Sequence, residues 1–120
     1  MRPEVRDAAY LLDMLQAAEK VRRYVGDVKQ EEFIEDEVLR DAVERNIEII
    51  GEAARKVSET FKSRHLEIPW RKMVAQRNVL VHEYDKISVD EMWIVATFHI
   101  PKLIDNLIPL IPPAPPETES

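Results

Sequence analysis

The sequence has no cysteine, which excludes disulfides, thiol nucleophiles and thiolate-bound zinc. Glycine is nearly as scarce, with only Gly26 and Gly51 in 120 residues. β-Branched residues nowhere alternate with polar ones over a strand-length run, so helices are expected throughout. No apolar run approaches the ~20 residues that a membrane-crossing helix requires. The opening MRPEVRDAAYLLDM carries acids inside its apolar stretch and lacks a small-residue cleavage site, so a cytoplasmic location is expected. Histidine is limited to His65, His82 and His99, which form no close metal-binding pair, and neither a metal nor a cofactor is expected. Positive charge is in deficit as well: 17 Lys and Arg stand against 23 Asp and Glu, a net charge of -6. Backbone binding to nucleic acid rests on many cationic contacts, so any such chemistry must use a local patch.

What is present is 45% hydrophobic and 33% charged residues, the mixture of a globular domain. The pattern predicts an antiparallel bundle of four to five helices over residues 1–108, then a proline-rich tail, 109–120, with five prolines from Pro109 on and an extended or disordered character. A first helix is predicted from Pro3 to Val25, with Leu11, Met14, Leu15, Ala18, Val21 and Val25 as its apolar stripe and Gly26 as its stop. After a brief turn at Phe33 and Ile34, Asp36 is the expected cap of a long helix reaching Phe61. Its apolar face holds two interruptions. Asn46 needs a hydrogen-bond partner, expected on a neighbouring helix or across an interface, and Gly51 suggests a close approach by another backbone. A third helix starts near Pro69 and Trp70 and ends between His82 and Asp85. A fourth starts at Ser88, with Glu91 as capping partner and a kink or break expected at Pro101.

Chemistry concentrates in Arg77-Asn78-Val79-Leu80-Val81-His82-Glu83-Tyr84. Arg77 offers a permanent planar cation that matches phosphate oxygens, and His82 can move protons near neutral pH. Together they suit RNA cleavage, in which a base deprotonates the 2′-hydroxyl, an acid protonates the leaving oxygen and a cation stabilises the added charge. Asn78 and His82 share a helix face, so the amide can orient the ring, whereas Arg77 lies roughly 140° around the helix from His82. A long side chain or a second copy of the helix would have to bridge that angle. The plainer alternatives are a surface ion pair of Arg77 with Glu83 or another acid, and a helix-terminal His82 facing the dipole.

The spacing Arg-x4-His-x-Tyr in RNVLVHEY resembles the signature of the HEPN family in its HepT-like form. RNIEIIGEAARKVSETF upstream, IPWRKMVAQRN before the motif and VDEMWIVATFHIPKLIDNL after it resemble that family's helices in the same order. The resemblance implies a HEPN-like bundle that forms a homodimer, with the two motifs facing across a shared cleft. It implies a toxin of a toxin–antitoxin system, a metal-independent endoribonuclease with Arg77 and His82 catalytic and Asn78 supporting. It further implies neutralisation by a minimal nucleotidyltransferase antitoxin, with Tyr84 as the AMP acceptor. Arg45 and Glu52 are minor candidates for the cleft. A binding module that docks a nucleotide or a protein without cutting anything is the competing reading, because such folds serve both roles.

Overall fold

The predicted stripe of the first helix forms the centre of the fold. In the computed structural model, which describes residues 4–82 and 88–112 with the backbone alone for 79–82, α1 (Val5–Val25) buries Leu11, Met14, Ala18 and Val21 completely. Leu15 is half-buried at the edge. Gly26 ends the helix at φ 24°, a backbone angle that side chains disfavour, and its N–H donates to Arg22 O.

The stripe also includes an acid. Asp7 lies one turn before Leu11 and is only 4% exposed. Its carboxylate accepts from Ser58 N at 2.9 Å and from Ser58 Oγ at 2.6 Å. Ser58 in turn caps α4 (Glu59–Arg64), its hydroxyl accepting from Phe61 N. This corrects the single helix expected from Asp36 to Phe61. α3 (Glu37–Lys56) stops before Val57, and the chain restarts as α4 because Ser58 is a good cap with a buried partner. The start of α1 thus meets the end of α3, so the two helices run antiparallel. Removing the Asp7 carboxylate would strand two donors and cost about 1–3 kcal/mol.

Phe33 and Ile34 belong to a full helix, α2 (Gln30–Glu35), rather than a turn, because Phe33 is completely buried 5.1 Å from the ring of Trp93. Asp36 caps α3 as predicted, accepting from Leu39 N at 3.0 Å. Asn46 is buried, but its amide donates to Ala42 O in its own helix at 2.8 Å, so its described bond is to neither a neighbouring helix nor an interface. α5 (Trp70–His82) begins at the predicted place, anchored by Trp70 Nε1 donating to His65 O at 2.9 Å.

α6 (Val89–Ile94) starts on Ser88, whose hydroxyl accepts from Glu91 N at 3.0 Å. It continues through a π-helical stretch, Val95–His99, into α7 (Ile100–Leu107) and a 3-10 turn, Ile108–Leu110. The disturbance expected at Pro101 therefore falls just before it. Proline lacks the N–H for an ordinary helical bond, and the preceding turn widens so that Ile100 N bonds Val95 O. Leu110 and Ile111 still pack against the core beyond the boundary expected at 108, while residues 113–120 lie outside the described residues. α1 packs on α3 and α7, and α3 packs on α5, giving an all-α bundle. Among the described residues no helix is long and apolar enough to cross a membrane.

Candidate active site

Gly51 determines how Arg77 is placed. A Cβ at Gly51 would collide with Arg77 Cβ and stand 2.7 Å from Met73 O, so the missing side chain lets α3 and α5 touch along their backbones. The close approach expected from the sequence is found, and the neighbour is the helix that carries the motif. Arg77 crosses this contact and extends to Glu52, the residue after Gly51, with its NH2 3.1 Å from Glu52 Oε2. Its NH1 donates to Asn78 Oδ1 at 3.1 Å. The side chain remains 25% exposed, enough for a ligand to reach it.

Glu52 is the residue that the sequence underweights. It binds Arg55 at 2.7 Å and lies 3.8 Å from Lys56, so three cations surround one carboxylate. The hydrogen bond from Arg55 holds its pKa below the usual carboxylate value, helped by the charges of Arg55, Arg77 and Lys56 and opposed by partial desolvation. Its Oε2 is shielded from solvent yet accepts no hydrogen bond among the described residues, so Arg77 rests on it as a charge contact without a directed bond. A phosphate offering aligned acceptors can compete for the guanidinium on those terms. Tyr10, Asp13, Arg45 and Glu48 join Glu52 and Arg77 around a cavity of about 210 Å3.

Of the residues named from the sequence, Arg77 and Asn78 are brought together. Position 82 is the last of α5, and its side chain lies outside the described ones, as does Tyr84 altogether. Asn78 is described in contact with Arg77, and the contact expected with His82 falls outside what is described. Glu83, a suggested ion-pair partner for Arg77, is likewise outside, and Glu52 takes that part. A cue to Glu52 was present in the sequence: it directly follows a glycine in mid-helix, where a neighbouring helix must come close. Asp7 was missed too, although its spacing of four from Leu11 sets an acid on the apolar stripe.

On the opposite flank of α5, Lys72 and Lys102 line a cavity of about 250 Å3 with His99. Burial pushes the His99 pKa down, and the charges of Lys72 and Lys102 add to this. Among the described residues no group of three or more His, Asp or Glu side chains is arranged to hold a metal ion.

The family model described as Ribonuclease HepT-like matches residues 14–109, which include both helices of the Arg77 contact. The chain belongs to the HepT-like ribonuclease family. A candidate RNase of Methanocaldococcus jannaschii is 37% identical to this HepT-like chain over 79% of it and 87% of the relative. A candidate ribonuclease HepT of Thermococcus cleftensis is 37% identical over 78% of the chain and 86% of its own length. A candidate RNase of Caldanaerobacter subterraneus subsp. tengcongensis is 34% identical over 78% and 84% respectively. No solved structure gives a significant match.

Proposed function

We propose that this HepT-like chain is a toxin-type endoribonuclease that cleaves RNA without a metal ion. The observation that carries the reading is Arg77, a partly exposed guanidinium set over Gly51 and held by one loose charge contact and one neutral amide. Family membership supplies the reaction class. Arg77 binds a backbone phosphate and stabilises the charge that builds on it, while Glu52 and Asn78 position the guanidinium. His82 transfers protons. The 2′-oxygen forms a bond to phosphorus as its proton passes to a base, and the bond to the 5′-oxygen breaks as that oxygen receives a proton from an acid. A homodimer provides two copies of His82, one for each transfer.

The partner in this reading is a minimal nucleotidyltransferase that adds AMP to Tyr84, two residues from His82. The added phosphate brings negative charge and bulk to a site that must receive RNA phosphate.

The test is cleavage of single-stranded RNA by the purified chain in excess chelator. Wild type should cut, and His82→Ala and Arg77→Ala should lose at least about 100-fold in rate, the usual scale for an acid–base or charge-stabilising group. Activity that disappears with chelator sinks the metal-free reading, and an undiminished His82→Ala sinks the site. With ATP and the partner enzyme added, wild type should gain the mass of AMP and Tyr84→Phe should not.

A further inference from the structure

An open groove of about 900 Å3 runs along α5 from Pro69 to Asn78, with α4 as its other bank. Arg55, Lys62, Arg71 and Lys72 line it, with Glu59 as the acid among them. Arg55 and Lys62 are paired with Glu52 and Glu59, which leaves Arg71 and Lys72 as groove cations without an ion-pair partner among the described residues, in a chain whose net charge is -6. Lys62 is drawn into the groove wall, its side chain 15% exposed and its amine 3.4 Å from Glu59 and 3.3 Å from Arg55 O. Arg71 is exposed and has no ion-pair partner among the described residues.

The groove has a definite direction relative to the motif. Positions 71, 75, 78 and 82 follow one another at intervals of four, three and four, the spacing of a single helix face. Arg71, Ala75 and Asn78 line the groove, so the face that forms its wall carries on to position 82. Arg71 stands about 16 Å from position 82 along the helix axis, three turns at 1.5 Å per residue. A chain of phosphates bound at the motif can therefore continue along this wall to Arg71.

We propose that the α4–α5 groove is the track for single-stranded RNA beside the cleavage site, with Arg71 holding a backbone phosphate at a distance from the reacting bond. This deepens the ribonuclease reading and rests on it. Phosphate contacts of this kind position the substrate and carry no sequence information.

The test uses the full chain and a fluorescent, randomised 12-mer with 2′-O-methyl groups, which binds but cannot be cleaved. Arg71→Glu should weaken binding at least about tenfold, the scale of one charge-assisted contact. The neutral Arg71→Gln should lower the salt slope of log affinity by about 0.7, the value for one contact to a single strand. Arg22→Glu, an equal change of net charge on the exposed side of α1, should leave binding unchanged. With cleavable RNA, Arg71→Glu should raise KM and spare kcat. Wild-type binding by Arg71→Glu, or an equal loss in Arg22→Glu, overturns the track even if the chain cuts RNA. Conversely, groove-dependent binding by a wild type that cuts nothing leaves the track standing and removes the nuclease reading.

Discussion

Arg77 and His99 sit on opposite flanks of α5, and their surroundings set them different tasks. Arg77 is held by Glu52 and Asn78 but remains accessible, as the proposed phosphate-binding role requires. His99 is pushed toward its neutral form by burial and by Lys72 and Lys102, with Glu67 the acid that lines the same cavity. Its pKa is lower in the fold than in the unfolded chain, so between the two values the unfolded chain binds more protons. The stability tied to neutral His99 is complete above about pH 6.5 and is lost as pH falls through the folded value. Melting wild type and His99→Gln at pH 7.5 and 5.5 isolates this effect, since the carboxylates are common to both. The wild type should lose more stability on acidification, and equal losses would refute the coupling.

At the scale of elements, the contact of α3 with α5 joins fold to site. Gly51→Ala should cost about 1–3 kcal/mol by overpacking, since the new methyl meets Arg77 Cβ and a backbone carbonyl that cannot turn aside. The same substitution should depress RNA cleavage beyond the stability loss, because α5 must shift and carries Arg77 with it. Chemical denaturation and a rate measured well below the melting temperature separate the two effects. The sequence made this contact readable because a glycine in mid-helix has few other uses, and the starts of α3, α5 and α6 were readable from Asp36, Pro69 and Ser88. The break between α3 and α4 was not. Val57 and Phe61 keep the apolar spacing across it, and only the distant Asp7 makes Ser58 the better place to stop. The Glu52–Arg77 pair was only hinted at by Gly51, since local spacing assigns Glu52 to its helix neighbours Arg55 and Lys56. The widening at Val95–His99 was half readable: Pro101 announced a disturbance, but the chain absorbed it upstream without losing the helix direction.

For the whole molecule, the two interruptions of the α3 face have partners within one chain. Gly51 is explained by α5 and Asn46 by Ala42 O, both within one chain. What still favours a homodimer is the need for two proton-transfer groups, together with exposed Ile94 and Phe98, four residues apart on one helix face. Light scattering at micromolar concentration should give twice the 14.0 kDa chain mass, and a monomer that still cuts RNA would defeat the two-copy scheme. The uneven placement of charge affects the earliest moment of an encounter. On the proposed track, Arg71 and Lys72 stand without ion-pair partners among the described residues in a chain of net charge -6, so a strand drawn to them is oriented along the groove as it arrives. Capture should then slow steeply with ionic strength, while the departure of a bound strand, governed by close contacts, changes much less.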